Sequence, residues 1–238
     1  PTSSANLDYV LQKLINYEKY PDGGLWYSKG IGVASDEGTP PDYTRASWLK
    51  DMLVDDMNFT HVDEIYDPGA TATQVTNAIN EGRSIINYIG HGSGVSWSTT
   101  GYGNSQIHQL SNGNKNPFII DVSCLNGNFT DTECMDEAWL RAGDINNFKG
   151  AIAAFGSSTN ASWVPPCDMQ NHSVSLITSR EMKSVGGICF NGIMHAMDLW
   201  GGSSGEGLKL MEQYNIFGDC SMLLTFGMIP DSTAPTAV

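Results

Sequence analysis

The sequence predicts an α/β domain in which helices cover both faces of a mostly parallel β-sheet, giving three layers. Short apolar runs, typical of buried strands, alternate along the 238 residues with stretches of helical periodicity. Two of these runs stop at reactive side chains, one at His91 and one at Cys124. Parallel strands deliver such side chains to one edge of the sheet. We assign residues 1–228 to one catalytic domain and residues 229–238, of linker composition, to a connection with a downstream region.

The elements of the first half follow from apolar spacing and from the residues that interrupt it. Apolar residues between Leu7 and Ile15 recur at helical spacing, and the turn-forming residues 21–24 end this helix. Thr71 is an N-cap residue ahead of a helical pattern, and Gly82 stops that pattern. In chain order we predict a helix at 7–15, a strand at 25–35, a helix around 48–53, a strand at 60–66, a helix at 71–80 and a strand that ends at His91.

The second half continues the alternation. The segment between the His91 and Cys124 strands is too long for a hairpin and contains a helix-like stretch at 105–110, which predicts a crossover between parallel neighbours. After the Cys124 strand we predict a helix at 133–142, a buried strand at 150–156, a loop at 157–168 and helices at 186–200 and 208–214.

The charge of the chain favours some partners over others. There are 26 acidic against 12 basic residues, for a formal net charge of −14. A chain of this charge repels nucleic acid and acidic membrane surfaces and attracts a cationic substrate. No apolar run reaches the roughly 18–20 residues that span a bilayer. We therefore expect no nucleic-acid partner and no membrane insertion.

The pairing of a histidine with a cysteine predicts nucleophilic catalysis. A thiol is mostly protonated near neutral pH, so Cys124 needs an imidazole such as that of His91 to become a nucleophile. A glycine after the histidine lets a substrate carbonyl approach the main chain, which makes the N–H groups of Gly92 and Cys124 the candidate oxyanion donors. The five cysteines lack metal-binding spacing. One working thiol with paired or buried others and a wholly reduced set both remain open.

With these blocks in view, the chain resembles the gingipain-type cysteine peptidases, which belong to the caspase-like group of folds. The matching stretches are residues 80–93 with Trp97, 117–127, 134–142, 158–163 and 216–219. The resemblance implies a secreted or cell-surface bacterial peptidase that cleaves after basic residues. It assigns Cys124 as the nucleophile, His91 as its partner and Glu37 as the carboxylate that orients the histidine.

The resemblance also bears on partners and metals. Family members carry a further subdomain before the matched region, so we expect upstream and downstream domains of a longer precursor. No cofactor is expected for catalysis. Structural calcium is possible, as in gingipains, and the acidic loops at 36–37 and 131–133 are the candidates, although no EF-hand pattern is present. The identity of any metal ligand is open.

Five residues are candidates for substrate selection by the same resemblance. Trp163 matches the tryptophan of the family's specificity pocket, and an indole stacks well on a guanidinium. Asp42 lies near the carboxylate of arginine-specific members, and Asp168 lies near that of lysine-specific members. Ile89 and Cys167 stand where arginine-cleaving relatives have threonine and methionine. The choice between arginine and lysine therefore stays open.

Two alternative functions are compatible with the same residues. A transpeptidase or processing enzyme of a secretion system would use the same thiol and imidazole, with an amine in place of water as the acyl acceptor. An inactive relative serving as an adhesion module would retain both groups by ancestry. The second alternative is disfavoured because competent side chains fill the nucleophile, base and orienting positions.

Overall fold

The computed structural model describes residues 4–21, 23–130 and 132–227. The predicted linker at 229–238 lies outside the described residues. The helices are α1 (Ser4–Lys19), α2 (Asp42–Asp55), α3 (Ala72–Glu81), α4 (Asn104–Ile107), α5 (Met135–Arg141), α6 (Val164–Thr178), α7 (Val185–Trp200) and α8 (Glu206–Gln213). The strands are β1 (Lys29–Ala34), β2 (His61–Tyr66), β3 (Ile85–Ile89), β4 (Ser96–Trp97), β5 (Tyr102–Gly103), β6 (Phe118–Val122), β7 (Gly143–Asp144), β8 (Asn147–Phe148), β9 (Ala153–Ser157) and β10 (Tyr214–Phe217).

The centre of the fold is a six-stranded sheet in the order β10-β9-β6-β3-β1-β2. All pairs are parallel except β9 with β10. The last residues of three neighbouring strands are in register, with Ala34 beside Ile89 and Ile89 beside Val122. The loops that follow β1, β3, β6 and β9 therefore leave from one edge of the sheet, as the sequence predicts for the site.

Helices on both faces bury the sheet. Ile85 packs into a cluster with residues of α2, α6 and α7, whereas Ile86 packs into a second cluster with residues of α3 and α5. On β6, Ile120 belongs to the first cluster and Ile119 belongs to the second. Successive strand residues point to opposite faces. The predicted three-layer α/β/α architecture is thus confirmed.

Several predicted boundaries are wrong. Residues Leu25–Ser28 form a 3₁₀ helix, so β1 begins four residues later than predicted. The whole of α6 was missed: it starts within the predicted loop at 157–168, and its first turn holds Pro165 and Pro166. Proline fits there because the first helical N–H groups have no partner within the helix. The predicted helix at 208–214 stops at Gln213, and Tyr214 starts the antiparallel edge strand.

Two small hairpins, β4 with β5 and β7 with β8, were not predicted. Their strands are two residues long, too short to show the alternation that identifies a strand. No described helix has the length and apolarity to cross a membrane.

Candidate active site

A cleft at the carboxyl edge of the sheet contains the predicted nucleophile and base. Its lining includes His91 and Cys124, at the ends of the neighbouring strands β3 and β6, together with Ile89, Ala161 and Trp163. The sequence reasoning therefore predicted correctly that these side chains share one sheet edge.

The imidazole of His91 is paired with the carboxylate of Glu37. Its Nε2 lies 3.0 Å from Glu37 Oε2, and both side chains are about half exposed. With a carboxylate acceptor, Nε2 carries the hydrogen of the neutral ring, which leaves the lone pair on Nδ1 to act as a base. The ring also meets Trp163 edge-on, with centroids 5.0 Å apart and an interplanar angle of 80°.

The backbone after β6 presents the thiol on a tight turn. The N–H of Asn126 donates to the carbonyl of Cys124 at 2.8 Å, and Leu125 between them has a φ of +66°. Turns of this three-residue kind with a left-handed central residue are rare and cost roughly 1–3 kcal/mol, and such strain concentrates at functional sites. The N–H of Leu125 donates to the carbonyl of Thr159 at 3.1 Å and holds the turn in place.

The thiol and the imidazole face the cleft without a hydrogen bond between them. Cys124 is partly exposed, and its Sγ lies 3.9 Å from the carbonyl oxygen of Ala161. Catalytic contacts are often long in a substrate-free site and tighten when substrate binds. The missing hydrogen bond therefore does not argue against a catalytic pair.

Gly92 lies against the turn that carries the thiol. A Cβ atom there would meet Ser123 Oγ at 2.6 Å and Asn126 Oδ1 at 2.9 Å, and the Cys124 carbonyl oxygen at a still shorter distance. The glycine that the sequence interprets as room for substrate is thus also required for packing of the two loops. Within the described part of the chain, the N–H groups of Gly92 and Cys124 have no hydrogen-bond acceptor. Both are therefore available as oxyanion donors.

The predicted specificity carboxylate Asp42 is buried behind the cleft. Its Oδ1 accepts from Trp163 Nε1 at 2.9 Å, and its Oδ2 accepts from Ser35 Oγ at 2.6 Å. Burial raises the pKa of Asp42, although the two hydrogen bonds and the charge of Arg45 act in the opposite direction. Asp42 does not line the cleft. It is connected to the cleft only indirectly, through its hydrogen bond with the Trp163 indole.

The other three specificity candidates line a neighbouring cavity. Asp168 and Cys167 border a space of about 230 Å³ together with Arg45, and Ile89 borders both this space and the cleft. Asp168 Oδ2 accepts a hydrogen bond from Trp200 Nε1 at 2.9 Å. Asp168 is absent from the lining of the cleft that contains Cys124.

Of the candidate calcium loops at 36–37 and 131–133, Asp131 lies outside the described residues. Glu37 is engaged by His91, and Glu133 is engaged by His108 and Arg141. No three His, Cys, Asp or Glu side chains converge for a metal ion within the described ranges. Structural calcium stays a prediction, with no ligand assigned.

Sequence reasoning missed a buried polar group of residues beneath the nucleophile. Asn126, Asp121 and Asp136 are all fully buried there. One signal was available, because Asp121 interrupts the otherwise apolar run 118–122. A carboxylate in a strand buried on both faces needs a specific partner.

Comparison with known proteins agrees with this geometry. The family model described as peptidase family C25 matches residues 2–225. Gingipain R2 of Porphyromonas gingivalis is 29% identical over an alignment that covers 99% of this chain and 33% of the relative. Gingipain R1 from the same organism is also 29% identical, with 99% of this chain and 24% of the relative covered.

Solved structures show the same fold. The crystal structure of the Arg-specific cysteine proteinase gingipain R superposes with a TM-score of 0.89 and 28% identity, covering 94% of this chain and 54% of that one. A complex of gingipain pro- and mature domains gives a TM-score of 0.88 at 29% identity, covering 94% of this chain and 55% of that one. The chain spans about a third of the length of gingipain R2. Because the family model matches nearly the whole chain, the chain belongs to peptidase family C25, the family of the gingipain-type cysteine peptidases.

Proposed function

We propose that this protein is a cysteine endopeptidase that hydrolyses peptide bonds through Cys124 and His91, with Glu37 orienting the imidazole. The observation that carries the proposal is the placement of thiol and imidazole in one cleft, with His91 Nε2 on the Glu37 carboxylate. That pairing leaves Nδ1 as the ring atom that exchanges protons with the thiol.

The reaction follows from these positions. His91 Nδ1 takes the proton of the Cys124 thiol, and the thiolate attacks the carbonyl carbon of the peptide bond. The N–H groups of Gly92 and Cys124 donate to the oxyanion of the tetrahedral intermediate. The imidazolium then protonates the leaving amine, and the C–N bond breaks to give a thioester. Water, deprotonated by the same imidazole, hydrolyses the thioester and regenerates the thiol.

We propose that the residue before the scissile bond is basic. Three observations support this: the net charge of −14, the buried Asp42 behind Trp163, and the Arg-specific gingipain R among similar structures. A guanidinium would stack on the Trp163 indole and compete with its N–H for the Asp42 carboxylate. We place Asp42 ahead of Asp168, because Asp168 lines the neighbouring cavity.

The relatives suggest the setting in which the enzyme works. Gingipain R2 and R1 are much longer than this chain, and one similar structure contains a pro-domain with a mature domain. We propose that the region acts within a longer precursor, as a secreted or cell-surface bacterial enzyme, on peptide or protein substrates.

Covalent labelling tests activity and preference together. Peptidyl acyloxymethyl ketones that differ only in arginine, lysine, asparagine or aspartate at the terminal position are incubated with the protein, and the modified residue is located by mass spectrometry. We expect the arginyl or lysyl reagent to modify Cys124. Cys124→Ala and His91→Ala should abolish the labelling, and Cys220→Ala, which removes an exposed thiol outside the cleft, should leave it intact.

Each other outcome points to an alternative. Labelling only by asparaginyl or aspartyl reagents would overturn the proposed preference for a basic residue, but it would still support a cysteine peptidase. Absence of labelling by every reagent would favour the inactive adhesion module. Accumulation of amide product when a peptide amine is added to a cleaved substrate would favour the transpeptidase.

A further inference from the structure

The side chain of Asn126 connects the two loops that carry the proposed nucleophile and base. Its Oδ1 accepts from the N–H of Gly94 at 3.0 Å, and its Nδ2 donates to Asp121 Oδ2 at 2.9 Å. Its main-chain carbonyl accepts from the N–H of Asp136 at 3.0 Å. One fully buried residue thus joins the loop after β3, the strand β6 and the first turn of α5.

This connection lies at the point where the distance between thiol and imidazole is set. Asn126 closes the three-residue turn on Cys124, and Gly94 is three residues after His91. The amide oxygen also borders Gly92, since a Cβ there would lie 2.9 Å from it. A displacement of the amide therefore moves the two loops relative to each other.

Asp121 holds the amide from below, and Asp136 lies beside Asp121. Asp121 Oδ2 also accepts from Trp97 Nε1 at 2.7 Å. Asp121 Oδ1 and both carboxyl oxygens of Asp136 have no partner within the described part of the chain. Both residues border Gly156, where a Cβ would lie 3.5 Å from Asp121 Cβ and in conflict with Asp136 Oδ2.

A shared proton accounts for two of these three unpartnered oxygens. Two adjacent carboxylates in a dry interior do not both ionise, so a protonated Asp136 would donate to Asp121 Oδ1. Burial, and after it the charge of Asp121, raises the pKa of Asp136 well above its ordinary value. Neither carboxylate forms an ion pair with a described basic residue.

Other titratable groups face this pair from three elements. Tyr88 on β3 interacts electrostatically with Asp121, Tyr214 on β10 interacts with both carboxyl groups, and Cys134 before α5 interacts with Asp136. All are neutral at physiological pH, so the charge of the pair is set by the two aspartates and by whatever stands at position 126.

We propose that Asn126 is a positioning residue of this site: its amide, anchored on the Asp121–Asp136 pair, holds the His91 loop at the spacing from Cys124 that proton exchange requires. The inference rests on the proposed peptidase function. It assigns Asn126 no contact with substrate. Its effect acts through the two catalytic side chains.

Three variants test the proposal in the complete chain, with kcat, KM, melting temperature and the pH dependence of Cys124 alkylation by iodoacetamide as readouts. Asn126→Ala should lower kcat about 100-fold with little change in KM, because a misplacement of about 1 Å costs that much. It should also slow alkylation near neutral pH, since the thiol loses the help of the imidazole.

The other two variants report on the hydrogen bonds themselves. Asn126→Asp should be impaired near neutral pH, where a third carboxylate faces Asp121. It should recover as the pH falls, because a protonated carboxyl group again donates to Asp121 and accepts from Gly94. The reciprocal pair Asp121→Asn with Asn126→Asp restores one donor and one acceptor, so it should recover most of the lost kcat.

A matched control separates positioning from stability. Asn112 is also a buried asparagine that joins two loops, through hydrogen bonds with Lys115 and Gly150 away from the cleft. Asn112→Ala should lower the melting temperature and leave kcat and the alkylation profile unchanged.

The proposal is overturned if folded Asn126→Ala keeps kcat within about threefold, or if it changes kcat no more than Asn112→Ala at an equal loss of stability. If Asn126→Ala does not fold, a folded reciprocal variant without recovered kcat overturns it, and so does Asn126→Asp without recovery at low pH. If the unchanged protein neither labels nor cleaves, the peptidase function fails instead, and alkylation still reports whether Asn126 couples the thiol to the imidazole.

Discussion

Replacement of Gly92 by alanine tests the packing of the two catalytic loops most directly. The new Cβ would lie 2.6 Å from Ser123 Oγ and 2.9 Å from Asn126 Oδ1, and closer still to the Cys124 carbonyl. Real Cβ contacts are longer than 3.0 Å, so the turn that carries the thiol has to move by about 1 Å. Such overpacking costs about 1–3 kcal/mol of stability, and a 1 Å misplacement costs about 100-fold in rate.

Steady-state kinetics on an arginyl peptide and thermal unfolding measure both effects of Gly92→Ala. The control is Gly202→Ala, because a Cβ there makes only ordinary contacts, the nearest at 3.4 Å from Met197 Cε. The control should keep kcat/KM and melting temperature. A folded Gly92→Ala protein with kcat/KM within about threefold of the unchanged protein would refute the reasoning, since the loops would then have room between them.

Three further changes have expected outcomes. Glu37→Gln should lower kcat/KM only about two- to fivefold, because an ion pair this exposed contributes about 0.2–1 kcal/mol; a hundredfold loss in steady-state kinetics would show that substrate binding buries the pair. Since burial raises the pKa of Asp42, cleavage after arginine should weaken on acidification at a higher pH than an ordinary carboxyl group gives. Asp42→Asn should reduce arginyl kcat/KM and remove that part of the pH profile, and an unchanged profile would contradict the role of Asp42. Because the pKa of Asp136 is raised, its protonated form stabilises the fold at low pH, and this stability is lost as the pH rises through the raised pKa. Asp136→Asn should therefore raise the melting temperature at neutral and alkaline pH and not at acidic pH, and an equal shift at every pH measured by calorimetry would contradict the shared proton.

Local pattern was enough to locate five of the six strands of the sheet, and the edge strand β10 was not predicted. β3 and β6 are buried on both faces, and such strands read as unbroken apolar runs. The same local reasoning missed α6 altogether, because Pro165 and Pro166 at its start are typical of loops as well as of the first turn of a helix. Whether this segment forms a loop or a helix depends on its packing against the rest of the core.

Part of the candidate site also carries a local signal in the sequence. His91, Cys124, Glu37 and Trp163 are each reactive or aromatic residues at the end of a predicted strand, which is a local signal. Asp136 carries no such signal, because an acidic residue in the first turn of a helix normally faces solvent and favours the helix dipole. Only the position of α5 beneath β6 and β9 buries it.

The sequence alone determined the alternation of the longer helices and strands as far as β9 and the reactive groups at the strand ends, because periodicity and turn residues act over a few positions. The tertiary structure decided the strand order, the antiparallel edge strand and the position of Asp42 behind Trp163. It also decided the hydrogen bonds of Asn126 to the loop of His91. These features depend on contacts between residues far apart in the chain, which no local pattern encodes.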